Sequence, residues 1–172
     1  HIYDIDPGSL SQAVNNVAAN LDTLAANGLI QRSEIKQITS RIHPNVSLKH
    51  AVADAQLVIE AVSESVDLKQ EVFRDLDGLC PPSVILATNT SAISISAVSR
   101  LASARHRIVG THFWNPPYLI PLVEVIKGPD TAQETVEVVY EFLQRVGKRP
   151  VRVRKDAPGF IGNRLQHALW RE

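Results

Sequence analysis

Short apolar runs rich in β-branched residues alternate along this chain with longer stretches of helical periodicity, and that alternation restricts the fold more than any other feature. Leu57-Val58-Ile59, Val84-Ile85-Leu86-Ala87, Ile108-Val109-Gly110 and Leu122 to Ile126 read as strands. A further strand is expected around Val151 and Val153, and Ile42 is placed in a short one. Between them lie helical stripes. Asp6-Pro7 caps a helix carrying Leu10, Val14, Val17, Leu21 and Leu24, which Asn27-Gly28 stops. A short helix is expected from Ser33 to about Thr39, and Ser65 caps another with Leu68, Val72, Phe73 and Leu76 on one face. Thr131 opens a helix with Val136, Val139, Leu143 and Val146, and a last one begins at Phe160. Apolar strands alternating with helices argue for a mostly parallel sheet covered on both sides, an open α/β fold. In such sheets ligands gather beyond the carboxyl ends of the strands. Asp4, Glu60 to Glu64, Asn89 to Ser91, His112 to Asn115 and Glu124 are therefore the positions to inspect.

Charge and composition remove several function classes. The 172 residues carry 18 Lys+Arg against 18 Asp+Glu, so no basic excess points to nucleic acid or an anionic membrane. The basic stretch from Lys148 to Lys155 is interrupted by Val151 and Val153 and reads as a strand with a wet face. The longest apolar runs are far below the roughly 20 residues that a bilayer requires. A lone Cys80, with no metal-ligand spacing around it, fits a buried thiol in a reducing cytoplasm, and no metal site is expected. The chain contains no Met and starts at His1, so a longer parent is expected.

The strand ends carry the chemistry. Asp4 follows an apolar stub, and an acid there in a dinucleotide-binding sheet accepts hydrogen bonds from the adenosine ribose hydroxyls, favouring NAD over NADP. Alternatively, Asp4 or Asp6 merely caps the next helix. The G-x-G-x-x-G turn that should precede such an acid is absent, and is expected upstream of His1 if the site exists. Ser91 lies in no G-x-S-x-G elbow, which argues against a serine hydrolase and leaves a hydrogen-bonding positioner or a helix N-cap. His112 directly follows a strand and is followed by aromatics, and Glu124 sits inside an apolar run, where an unpaired carboxylate would cost several kcal/mol. Pairing the two would fix the histidine tautomer and free its other nitrogen to exchange a proton with substrate. A satisfied structural histidine is the competing reading.

Taken together, Asn89-Thr90-Ser91, His112-Phe113-x-Asn115-Pro116, Pro121-Leu122-Val123-Glu124-Val125 and Pro158-Gly159-Phe160-x-x-Asn163-Arg164 resemble, in order and spacing, the L-3-hydroxyacyl-CoA dehydrogenases. The resemblance spans essentially the whole chain. It implies a Rossmann-like doubly wound sheet that lacks its first strand and glycine-rich turn. Residues 1–157 would form the NAD-binding catalytic domain, and 158–172 the start of a helical C-terminal domain through which the parent forms a homodimer. It further implies that His112 is the general acid/base, that Glu124 orients it, and that Ser91 and Asn163 bind the substrate. Asp4, Glu64, Lys69 and Asn115 match cofactor-binding positions. The implied activity interconverts an L-3-hydroxyacyl-CoA and a 3-oxoacyl-CoA with NAD, as in fatty-acid β-oxidation. The Trp114-Asn115-Pro116-Pro117-Tyr118 run also resembles the gulonate dehydrogenase and lambda-crystallin branch, which leaves a sugar-acid substrate open. A non-catalytic fragment is the remaining alternative.

Overall fold

A computed structural model describes residues 1–171. The chain divides into two compact units at Ala55–Gln56, inside the span expected to form the NAD-binding domain. The first unit holds β1 (Ile2–Tyr3), α1 (Pro7–Ala26), α2 (Ile35–Thr39), β2 (Pro44–Asn45) and α3 (Leu48–Ala51). Its two strands pair in parallel with Ile2 opposite Pro44. Asp6 caps α1 as its sequence position suggests, accepting from the N–H groups of Gly8 and Ser9 at 3.0 and 2.9 Å. The short strand lies two residues beyond Ile42, because Ile42 is still hydrogen-bonded back to Thr39 at the end of α2.

The second unit contains β3 (Leu57–Glu60), α4 (Val66–Leu79), β4 (Ile85–Thr88), α5 (Ile95–Val98), β5 (Ile108–Phe113), β6 (Leu122–Ile126), α6 (Gln133–Arg145), β7 (Arg149–Val153) and α7 (Gly162–Leu169). The five strands form one sheet in chain order. All pairings are parallel except β5 with β6. That single reversal matters most, because it sets His112 directly opposite Glu124.

The two faces of this sheet differ in kind. Ala87, Val109, Val123 and Val125 point to one side and pack with Val136, Val139 and Leu143 of α6 in a dry core. The residues between them in sequence point the other way. Across the strands these are Glu60, Thr88, Gly110, His112, Glu124 and Ile126, with Glu60 opposite Thr88 and Thr88 opposite Gly110. Leu86, Ile108 and Ile126 on this second face are fully buried as well, so both faces pack, and the second also carries the polar groups.

Several local expectations shift by a residue or two. Ser94 caps α5, its hydroxyl accepting from the Ala97 N–H, so Ser91 is not the N-cap. Thr131 precedes the α6 cap at Ala132, its hydroxyl donating to the Ile108 carbonyl at 2.6 Å and accepting from the Gly128 N–H. In β7, Val153 is buried whereas Val151 is 43% exposed, since β7 is the sheet edge. Cys80 is buried, and burial pushes its thiol up, as expected of an inert cysteine. Among the described residues, no helix is long and apolar enough to cross a membrane.

Gly110 is where α5 approaches the sheet closely. A methyl group there would lie 2.6 Å from the Ile95 Cδ1 and 2.9 Å from the Ile126 Cβ. Gly110→Ala should cost about 1–3 kcal/mol by overpacking, read as a lower urea midpoint at unchanged slope. Ile95→Val removes the nearer of these atoms and should recover part of that loss.

Candidate active site

The site is built from strand register. Residues directly opposite in an antiparallel pair put their side chains on one face, close enough to touch. His112 Nδ1 accordingly lies 2.8 Å from Glu124 Oε2, with side chains 7% and 3% exposed. Burial opposes the charge on Glu124. The hydrogen bond from His112 and those from the Gly162 and Ile161 N–H groups outweigh it and hold the carboxyl below the ordinary range. An ionised carboxylate only accepts, so Nδ1 is the donor in this pair, which leaves Nε2 as the ring nitrogen that can exchange a proton.

The second oxygen of Glu124 works on a different element. Oε1 accepts from Ile161 N–H at 2.9 Å and Gly162 N–H at 3.0 Å, two donors that α7 leaves free at its start. No side chain of α7's own caps it. Glu124 thus fixes the imidazole with one oxygen and the helix bearing Asn163 with the other. Asn163 Nδ2 then donates to the Ser91 carbonyl at 2.8 Å. His112, Glu124, Ser91 and Asn163, dispersed in sequence, belong to one connected cluster.

Aromatic groups wall the histidine. Trp114 and Phe160 place their rings 5.5 and 5.9 Å from the imidazole. Phe160, with φ of 50°, is turned inward after Gly159 (φ 76°) and is buried. The Trp114 indole lies over Gly162, where a Cβ would come within 2.0 Å of its Cζ2. Only a glycine fits beneath that ring.

The positions expected to meet the cofactor are less alike than their sequence setting suggests. In the first unit, Asp4 follows β1; Oδ1 accepts from the Asp6 N–H at 2.9 Å, and Oδ2 has no partner among the described residues. In the second unit, Asn115 is exposed beyond β5. Glu64 is partly exposed, and that partial burial opposes its charge. The Thr90 hydroxyl, the Ser91 N–H, the Lys69 ammonium and the Ala92 N–H together hold its carboxyl below the ordinary value. Lys69 differs from expectation: its side chain is 1% exposed and its ammonium meets Glu60 at 2.7 Å, the Val62 carbonyl at 3.2 Å and Glu64 at 3.3 Å. It is an internal counter-charge, with its three donors already directed at protein oxygens.

Three participants carry no role in the sequence reading, although Glu60 and Asn89 are among its strand-end positions. Asn89 Oδ1 accepts from the Phe113 N–H at 2.9 Å, tying the end of β4 to β5 beside His112. Asp156 accepts from the Ile95 and Ser96 N–H groups at 2.6 and 2.8 Å, anchoring the chain before Pro158 to the start of α5. Glu60 is buried and bonded to Lys69 and Thr88. Each is an acid or amide beside a strand end or turn, which marks a candidate but names no partner.

The family model described as 3-hydroxyacyl-CoA dehydrogenase, NAD binding domain, matches residues 1–157. The chain belongs to that family. It is 38% identical over 171 residues to 3-hydroxyadipyl-CoA dehydrogenase of Escherichia coli K12, covering 99% of this chain and 36% of that protein. L-carnitine dehydrogenase of Streptomyces coelicolor is 40% identical over 99% of the chain and 52% of its own length. Lambda-crystallin of Oryctolagus cuniculus is 34% identical over 98% of the chain and 53% of its own. The crystal structure of 3-hydroxybutyryl-CoA dehydrogenase from Escherichia coli K12 superimposes with a TM-score of 0.91 at 38% identity, covering 98% of this chain and 36% of that one. The chain thus spans roughly a third to a half of the curated relatives it matches. It is an α/β, Rossmann-like member of an NAD-dependent dehydrogenase family.

The ionised Glu124 links the pair to acid stability. A carboxyl whose folded value is lowered adds stability that is complete above its ordinary value of 4.5 and is lost as the pH falls through the lowered value. Glu124→Gln should cost about 1–3 kcal/mol near neutrality, and the gap between its melting curve and that of the parent should narrow below pH 4.5. A gap that stayed constant through the acid range would mean the charge contributes nothing.

Proposed function

We propose that the protein is an NAD-dependent oxidoreductase interconverting an L-3-hydroxyacyl-CoA and a 3-oxoacyl-CoA, with His112 as general acid/base. The observation that carries this reading is the buried His112–Glu124 pair, 2.8 Å apart, whose carboxylate also seats the helix bearing Asn163. Nε2 of His112 takes the proton of the 3-hydroxyl in the oxidative direction and returns it in the reductive one. Glu124 keeps Nδ1 protonated and stabilises the imidazolium that forms. The Ser91 hydroxyl and the Asn163 amide donate to the 3-oxo oxygen, lowering the cost of charge that builds there in the transition state. The aromatic wall of Trp114 and Phe160 keeps water from the imidazole.

NAD, when bound, supplies the hydride acceptor. Asp4 fits part of that requirement, since its unpartnered Oδ2 suits a ribose hydroxyl and its charge opposes an added phosphate. Glu64 and the exposed Asn115 are the polar groups of the second unit that fit the nicotinamide half. Lys69 supports Glu64 from behind. The same reading carries a homodimeric enzyme of cytoplasmic acyl-chain β-oxidation.

A hydroxy acid without CoA is the second reading, favoured by the L-carnitine dehydrogenase and lambda-crystallin relatives. Parallel assays of gulonate, carnitine and a 3-hydroxyacyl-CoA with NAD separate the two. For the first reading, the protein at its full natural length is assayed with acetoacetyl-CoA and NADH. His112→Ala should lower kcat by roughly 10²- to 10⁴-fold, the usual worth of a positioned acid/base. Full activity in that variant would sink the assignment, and no turnover of any of these substrates by the parent would favour a binding role.

A further inference from the structure

The buried charge at the end of β3 takes no part in proton transfer, yet it is fully wired. Glu60 is 4% exposed. Its Oε1 accepts from the Val62 N–H at 2.6 Å and the Lys69 ammonium at 2.7 Å, and its Oε2 accepts from the Thr88 hydroxyl at 2.7 Å. Lys69 passes the charge on to Glu64 Oε2 at 3.3 Å. The other oxygen of Glu64 gathers the Thr90 hydroxyl at 2.5 Å, the Ser91 N–H at 2.9 Å and the Ala92 N–H at 3.2 Å. From there the Ser91 carbonyl receives Asn163, and the Ala92 carbonyl receives the Gly159 N–H at 3.1 Å.

A buried ion pair is a costly way to join a strand to a helix, because apolar groups of the same volume hold them as well or better. An apolar pair cannot, however, fix the charge of a neighbour. The Glu64 side chain is 42% exposed, and a carboxylate so placed would sample several rotamers in water. Lys69, pinned by Glu60, gives it one stationary counter-charge and so one orientation, aimed at the backbone of residues 91 and 92.

We propose that Glu60 is a positioning residue that acts through Lys69 and Glu64 to fix the Ser91 segment against Asn163. This rests on the reading of Ser91 and Asn163 as substrate-binding residues. Glu60 itself touches no substrate; its effect is the placement of a donor that must meet the 3-oxo oxygen to within a fraction of an ångström.

The test combines amide hydrogen exchange with kinetics on the full-length protein, using acetoacetyl-CoA and NADH. In Glu60→Gln, the Ser91 and Ala92 amides should exchange at least about tenfold faster relative to the core amides of Val109 and Val125. The kcat should fall roughly 10- to 100-fold, the scale of an ångström-sized misplacement, with KM for the acyl substrate within about threefold. The double variant Glu60→Gln/Lys69→Met removes the buried charge altogether. It should regain stability over Glu60→Gln without regaining kcat, because Glu64, whose counter-charge is unpinned in the single variant, has none in the double one. Should Glu60→Gln fail to fold, Thr88→Val removes the hydroxyl that donates to Oε2, together with its weaker bond from the Thr90 N–H at 3.3 Å, and should shift both readouts the same way by about threefold. Wild-type protection at Ser91 and Ala92, or recovery of kcat together with stability in the double variant, would overturn the proposal. If the parent turns over no acyl-CoA, the substrate reading falls, and the exchange experiment alone decides whether Glu60 positions the segment.

Discussion

Everything at the candidate site depends on one carboxylate serving two masters. Glu124 sits where β6 runs against β5, so its side chain must face His112. The same group closes the open N–H groups of α7. Neither bond set would justify the burial of a charge on its own. Together they satisfy both oxygens and offset the desolvation that burial imposes. The chain therefore places its proton-exchanging ring and its Asn163 amide by a single interaction.

The second charged group, Glu60 with Lys69, obeys the same logic at the opposite edge of the sheet. Both carboxylates project from the same face, Glu60 at the end of β3 and Glu124 in the middle of β6, while the other face is packed on α6. A sheet can keep such a division because its side chains alternate strictly, and because Gly110 lets α5 lie close without displacing the polar row. Apolar packing on both sides, with Leu86, Ile108 and Ile126 beside the charged groups, supplies the rigidity against which those charges are held.

Much of this was legible in the sequence, and the limits follow from what spacing can encode. Apolar periodicity located the long helices α1, α4 and α6 and most sheet strands to within a residue or two, but β5 runs three residues past the expected Gly110, to Phe113. A histidine just after one strand and a glutamate inside the next pointed to a pair, because an isolated buried carboxylate is untenable. The reversal of β6 was not legible: a strand's direction depends on its connection, and Trp114 to Pro121 shows no turn signature that decides it. The four-residue helices α3 and α5 lack enough turns for a stripe. Lys69 matched a cofactor-binding position, and its burial against Glu60 and Glu64 could not be read from spacing alone.

The stacking of Trp114 on Gly162 has a consequence for how this site can change over time. The indole fills the volume a side chain at 162 would need, and it does so beside the imidazole. Any mutation that enlarges residue 162 must be preceded by one that shrinks residue 114, since the reverse order passes through a collision. The wall of the histidine pocket and the first turn of α7 therefore evolve as a coupled pair, and the shape of the pocket is inherited in units of two residues.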